Sequence, residues 1–190
     1  GGALALLSGR DLRDLASRAP GAVWRAGGHG LEIAAPGDAA PARAPAALPE
    51  AVLAPLRALP HPGLRLELKG PVAALHYRAA PEAEAACLAA ALEAAALGEG
   101  LTTQAGKMVV EVKPEGAHKG RALRAMAERP PFAGRRPVML GDDATDEDAI
   151  AAAQALGGLG VKIGAGHSAA RLRAPDPAAV RAWLAREAGS

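Results

Sequence analysis

The stretch LRLELKGPVAALHYR, residues 64–78, restricts the fold more than any other part of this 190-residue chain. Leu64, Leu66 and Leu68 alternate with Arg65, Glu67 and Lys69, the two-residue period of a strand with one buried face. Gly70-Pro71 follows, and that pair suits a type II′ turn, glycine taking the positive φ and proline the negative φ after it. The resulting register pairs Lys69 with Val72 and Glu67 with Ala74. Arg65, Glu67, Lys69, His76 and Arg78 then share one face, and Leu64, Leu66, Leu68, Leu75 and Tyr77 share the other, buried one. An antiparallel hairpin with one polar face therefore lies in the middle of the chain.

The flanks follow a different pattern. Residues 2–7, GALALL, read as a buried strand running into Ser8-Gly9-Arg10. Residues 11–18 carry helical spacing, with Leu12 and Leu15 on one side, and a short strand at 22–26 leads into the turn Gly27-Gly28-His29-Gly30. The Pro/Ala tract at 34–49 is a surface connection, followed by a short helix at 50–58. Residues 81–97 form a helix, with proline near its first turn and Gly98 just past its end. The strand KMVVEVK at 107–113 places Lys107, Val109, Glu111 and Lys113 on one side. After Pro114 strands and helices alternate: helix 119–128, buried strand 137–141, helix 146–156, strand 160–163 and helix 176–187, whose Ala179, Val180, Trp183 and Leu184 make an apolar stripe. An antiparallel section is thus inserted into α/β parallel-sheet material.

Composition narrows the function classes. Half the residues are hydrophobic and 22% are charged, which is incompatible with wholesale disorder. Roughly a quarter of the chain is alanine, a bias that says nothing about chemistry. Aromatic residues make up only 2%, too few for base-stacking platforms, and a net charge of +2 without a run of five like charges argues against nucleic-acid or membrane-surface partners. No segment has the length of a membrane span, since 85–97 is mostly alanine and is interrupted by Glu93. The opening residues lack a basic region and are too short for a signal peptide. The single Cys87 leaves no disulfide framework and no Cys-based zinc site, so a reduced, cytoplasmic compartment is the default.

Three segments carry candidate chemistry. In VMLGDDATDEDAI, residues 138–150, an apolar strand ends at Gly141 and is followed at once by Asp142 and Asp143, where parallel-sheet proteins place ligands. Adjacent carboxylates there repel each other unless a cation intervenes, and a hard cation such as Mg²⁺ takes oxygen ligands. Asp146, Glu147 and Asp148 also fit the ordinary acidic start of a helix, which Thr145 could cap with Asp148 at the third position. Lys119 opens a helix, where its ammonium and the free N–H groups attract an anion, although a solvated lysine there is commonplace. Ser8-Gly9-Arg10 offers a hydroxyl and backbone donors after a strand. His61 reads as a loop residue, His118 as exposed, and Trp24 and Trp183 as core filling.

In this order and spacing the SGR, KG and GDD segments resemble motifs II, III and IV of the haloacid-dehalogenase (HAD) phosphatase superfamily. With LLSGR at 6–10, HG-x-E at 29–32, E-x-K and HYR between 67 and 78, GKMVVEVKP at 106–114, KG at 119–120 and GDDATDEDAI at 141–150, nearly the whole chain is similar to the trehalose-6-phosphate phosphatase family. The resemblance implies an α/β fold: a HAD-like Rossmannoid parallel-sheet core, residues 1–34 and 114–190, with an inserted α/β cap at 35–113. It implies that Ser8 and Lys119 hold the transferring phosphoryl group, that Asp142 ligates Mg²⁺, and that Asp143 and Asp146 support the metal site. Arg10, His29, Glu67, Lys69, Arg78, Lys107 and Glu111 match substrate positions; of these, Glu67, Lys69 and Arg78, and Lys107 and Glu111, were placed on polar strand faces by alternation alone. The implied reaction is hydrolysis of trehalose 6-phosphate to trehalose and phosphate in trehalose biosynthesis, by a cytoplasmic monomer.

The sequence departs from the family at one point. The reaction needs an aspartate nucleophile and an aspartate acid/base from a D-x-D-G-T motif on the first core strand. The only D-x-D here is Asp146–Asp148, inside the fourth motif. The simplest account is a chain without its N-terminal strand, loop and helix, so that the residues present are inactive alone. The alternatives are a catalytically dead sugar-phosphate-binding or regulatory protein, and another HAD sugar phosphatase such as one for sucrose-phosphate.

Overall fold

The computed structural model describes residues 3–19, 21–39 and 46–189, so Gly2 of the expected first strand and residues 40–45 of the Pro/Ala tract lie outside the described residues. The chain divides into two units, Leu4–Ala117 and one centred on His118–Ser190.

In the first unit the opening apolar run forms β1 (Ala5–Leu7), which is half-buried rather than buried because it stands at the edge of its sheet. Asp11 caps α1 (Leu12–Arg18), its carboxylate accepting from the Asp14 N–H at 2.8 Å, and Leu12 and Leu15 are buried as their spacing predicts. β2 (Trp24–Gly27) pairs parallel with β1, and β3 (Glu32–Ala34) pairs antiparallel with β2. β3 is too short for alternation to mark it in the sequence. Gly28, His29 and Gly30, which join β2 to β3, all have positive φ: 55°, 56° and 98°.

The same unit continues with α2 (Glu50–Arg57), β4 (Arg65–Lys69), β5 (Val72–His76), α3 (Glu84–Ala96), β6 (Leu101–Gly106) and β7 (Val109–Pro114). The hairpin register is the one read from the sequence, with Lys69 opposite Val72 and Glu67 opposite Ala74. Gly70 has φ 60°, and the proline after it cannot follow into positive φ, which fixes the turn as type II′. The four strands form an antiparallel sheet in the order β4-β5-β7-β6. One row across the sheet reads Glu67, Ala74, Glu111, Gln104, and its neighbour on the opposite face reads Leu66, Leu75, Val110, Ala105. On the apolar face Leu75, Tyr77, Val110 and Val112 pack with Val52, Leu53 and Leu56 of α2 and with Cys87, Ala90, Ala91 and Ala94 of α3. Each fully buried aliphatic side chain there stabilises the fold by about 1.5–3 kcal/mol. The buried ring of Tyr77 keeps its hydroxyl satisfied by donating to Glu84 at 2.9 Å.

Several sequence expectations change here. Leu68, expected on the buried face of the hairpin, is 43% exposed near the end of its edge strand. The strand expected over 107–113 begins at Val109; Lys107 and Met108 instead form the two-residue tip of the β6–β7 hairpin, Met108 with φ 59°. β6 itself was not expected, because Thr102-Thr103-Gln104 gives no apolar alternation. Arg78 lies in a turn beyond β5 and is exposed, so it does not share the strand face of Glu67 and Lys69.

The second unit holds α4 (Lys119–Ala127), β8 (Val138–Gly141), α5 (Glu147–Ala155), β9 (Leu159–Ile163), β10 (Leu172–Ala174) and α6 (Pro177–Ala188). Its three strands are parallel in the order β10-β9-β8. β10 was not expected, and β8 alternates in burial, with Val138 exposed at the sheet edge. The apolar stripe of α6 is only partly covered: Ala179, Val180 and Trp183 are half-buried and Leu184 is exposed. Gly120 lets α4 and α5 approach closely, since a Cβ there would come within 2.5 Å of the Asp148 carbonyl oxygen.

Candidate functional site

In the second unit the site residues gather at the carboxyl end of β8. Thr145 does not cap α5. It lies inside a 3-10 turn, Ala144–Asp146, whose start is capped by Asp143, with the Asp143 carboxylate accepting from the Ala144 N–H at 2.7 Å. Asp146 turns back beneath this loop and is 5% exposed. One of its oxygens accepts from the Asp142 and Asp143 N–H groups at 3.0 Å each, and the other receives the Lys119 ammonium at 2.6 Å. Gly141 makes room for it, because a Cβ at that position would stand 2.3 Å from the Asp146 Cβ. His118 caps α4 by accepting from the Arg121 N–H at 3.1 Å and is half-buried, which corrects its expected exposure. Lys119, Asp142, Asp143 and Asp146 are therefore brought together. Lys162 joins them from β9, opposite Gly141, and donates to the Asp142 carbonyl oxygen at 2.7 Å while only 5% exposed. Sequence reasoning missed it; the signal was a lysine at an inward position of an otherwise apolar strand.

These donors fit a hard cation. The Asp142 carboxylate is exposed and carries no hydrogen bond among the described residues, and Asp143 stands beside it. Both oxygens of Asp146 are already engaged, so it shapes the loop through hydrogen bonds. The described residues contain no ready cluster of three His, Cys, Asp or Glu side chains around a metal position. Mg²⁺ does not require one, because it is held through one or two carboxylates with waters and phosphate oxygens.

In the first unit Ser8 follows β1. Its N–H donates to the Ala26 carbonyl at 2.9 Å and its hydroxyl oxygen accepts from the Arg10 N–H at 3.1 Å. The Arg10 side chain is exposed and paired with Asp14 at 2.7 Å. Glu32 of the HG-x-E segment accepts from the Leu12 N–H at 3.1 Å and so serves the start of α1. His29, Glu67, Lys69 and Glu111 form one cluster on the polar face of the four-stranded sheet. Lys69 Nζ lies 3.9 Å from Glu67 and 3.7 Å from Glu111, and His76 meets Glu67 at 2.9 Å. His29 Nε2 approaches Glu111 to 3.1 Å, an ion-pair distance without hydrogen-bond geometry, and both ring nitrogens are buried with no hydrogen-bond partner among the described residues. A buried polar group left so costs roughly 1–3 kcal/mol, and a non-glycine residue at positive φ costs a similar amount. Arg78 and Lys107 are exposed at the margins of the sheet and do not join this cluster.

The chain matches the trehalose-phosphatase family model over residues 2–178. The chain belongs to the trehalose-phosphatase family. The family is one of phosphoric monoester hydrolases, and its fold is HAD-like. Among its relatives, the trehalose-6-phosphate phosphatase of Escherichia coli is 41% identical over 190 residues, covering 96% of this chain and 70% of that protein. The trehalose-phosphate phosphatase of Mycobacterium marinum is 37% identical over 177 residues, covering 87% of this chain but 44% of that protein. This chain thus spans less than half the length of one family member and 70% of another. The solved C-terminal domain of Candida albicans trehalose-6-phosphate phosphatase superposes with a TM-score of 0.76 at 22% identity, covering 97% of this chain and 77% of that one, a likeness of fold.

Charge sets the state of the polar face. Burial pushes the Glu111 carboxyl up, yet His29, Lys69 and Lys113 around it outweigh burial and hold it below the usual range. Glu67 behaves alike: burial raises it, and His76, Lys69 and Arg65 more than compensate. A carboxylate depressed on folding contributes stability that is fully present above its unfolded value, about 4.3, and is lost as pH falls through the folded value. Glu111→Gln is accordingly expected to lower Tm at about pH 7, and its gap to the parent is expected to narrow as pH falls below about 4.3. Thermal unfolding of both proteins across that range checks this; a constant gap would contradict it.

Proposed function

We propose that this protein serves the hydrolysis of trehalose 6-phosphate to trehalose and phosphate through an aspartyl-phosphate whose nucleophile is not among these 190 residues, which recognise both ends of the substrate. The observation that carries the reading is the gathering of Glu67, Lys69 and Glu111 on one sheet face. Acceptors and a donor held at fixed positions suit a disaccharide, whose hydroxyls both donate and accept. Arg78 and Lys107 at the margins of that sheet, with Arg10 and His29, complete the substrate set. Ser8 and Lys119 hold the phosphoryl group, a hydroxyl and an ammonium at a helix start being complementary to its oxygens. The 2.6 Å contact to Asp146 keeps the Lys119 ammonium in place.

Asp142 with Asp143 holds Mg²⁺, and Asp146 and Lys162 fix the loop that presents them. The ion, when bound, neutralises phosphate charge. Residues 1–34 and 114–190 act as core and 35–113 as cap. No described helix is long and apolar enough to cross a membrane. The reading takes the protein to be a cytoplasmic monomer with a small-molecule substrate and without nucleic-acid or membrane partners.

Glu67→Ala tests this. Loss of a charge-assisted contact to a sugar hydroxyl is expected to weaken trehalose 6-phosphate binding about tenfold or more, with inorganic phosphate affinity changed less than about twofold. Calorimetric titration of both ligands reads the difference, and unchanged affinity for trehalose 6-phosphate would overturn the assignment. A second reading is a sugar-phosphate-binding regulatory protein. It makes the same binding prediction without turnover.

A further inference from the structure

We propose that His29 is a positioning residue that couples sugar recognition on the β4–β7 sheet to the Ser8–Arg10 loop; this rests on the reading of the site given above. His29 is joined to both. Its N–H donates to the Ser8 carbonyl at 2.9 Å, and the N–H of Gly28 donates to the Arg10 carbonyl at 2.6 Å, so the 28–30 turn braces the loop through the backbone. Its ring lies against Gly9, where a Cβ would stand 2.8 Å from Cε1 and Nε2. The same Nε2 is 3.1 Å from Glu111, whose other oxygen is 3.7 Å from Lys69, which is 3.9 Å from Glu67.

A single ring thus touches the loop proposed to hold phosphate and the carboxylate proposed to hold sugar. It is 2% exposed, neither nitrogen has a hydrogen-bond partner among the described residues, and the backbone carrying it stays at φ 56° between two glycines also at positive φ. Strain and an unmet hydrogen bond at one buried residue mark an arrangement held for a purpose other than packing. A sugar hydroxyl that engages Glu111 changes what faces Nε2, and a ring confined by Gly9 and by its own backbone passes that change to Ser8. The phosphate loop would then reach its working geometry only when the disaccharide end is seated, which discriminates against small phosphate esters lacking it.

Amide NMR of the 190-residue chain titrated with trehalose tests the coupling. In the parent, the amides of Glu67, Lys69 and Glu111 should shift, and those of Ser8, Gly9 and Arg10 should shift with the same midpoint. In His29→Asn, a residue that tolerates positive φ, the sheet shifts should persist while the loop shifts fall about fivefold or more. Gly9→Ala, which pushes the ring aside without removing it, should give the same separation and serves if His29→Asn does not fold. Loop amides that move equally in parent and variants, or that stay silent in the parent while the sheet amides move, would overturn the coupling alone. Silence of the sheet amides in the parent would instead remove the sugar reading, and the coupling with it.

Discussion

Lys119→Met is expected to lower the thermal midpoint by on the order of 10 °C. The ammonium and the Asp146 carboxylate are both nearly buried and 2.6 Å apart, so removing one leaves the other charged without a counter-charge. Breaking such a pair from one side costs about 3–5 kcal/mol, far more than an exposed ion pair is worth. The effect should spread to the Asp142–Asp143 loop, because the same carboxylate holds both of those N–H groups. Asp146→Asn in the Lys119→Met background removes the stranded charge while keeping an acceptor, and should recover part of the loss. Circular-dichroism melts of the three proteins decide it; a Lys119→Met midpoint within about 2 °C of the parent would show that the pair contributes little.

The second large effect concerns turnover. In the proposed reading Ser8 and Lys119 serve phosphoryl binding and Asp142 with Asp143 serves the cation, and none of them is assigned as the nucleophile. Phosphoryl transfer through a covalent intermediate needs a nucleophile in line with the phosphorus, and in the proposed reaction that nucleophile is an aspartate carboxylate. The one D-x-D, Asp146–Asp148, is unsuited to this: Asp146 is committed to Lys119 and to two backbone N–H groups, and Asp148 lies in the first turn of α5. The 190 residues alone should therefore release no phosphate from trehalose 6-phosphate in Mg²⁺, at any enzyme concentration where binding is seen.

Legibility followed how strongly local chemistry constrained each element. The register and turn of the 64–78 hairpin were readable because period, turn and polarity agreed, and the same alternation placed Glu67 and Lys69 together, but Leu68 is exposed at the strand end and Arg78 lies in a turn past β5. The short edge strands β3 and β10 and the threonine-rich β6 were not readable: three residues carry no period, and β6 owes its place to pairing with β7. Lys107 was misplaced for the same reason, since nothing local shows that KM begins a hairpin tip. At the GDD loop, residue types marked the site, but the division of labour did not appear in them. The Asp142 carboxylate carries no hydrogen bond among the described residues while Asp146 is committed, because Gly141 lets Asp146 fold under the loop toward a lysine 27 positions earlier. The His29–Glu111 approach likewise depends on residues far apart in sequence that alternation cannot relate.

Phosphate release from trehalose 6-phosphate tests the central claim most directly, compared between the 190-residue chain and the same chain preceded by a strand carrying D-x-D-G-T. The account predicts none from the first and Mg²⁺-dependent release from the second, exceeding that from sucrose 6-phosphate or glucose 6-phosphate. Turnover by the 190 residues alone, or an extended chain that hydrolyses all three esters equally, would contradict it.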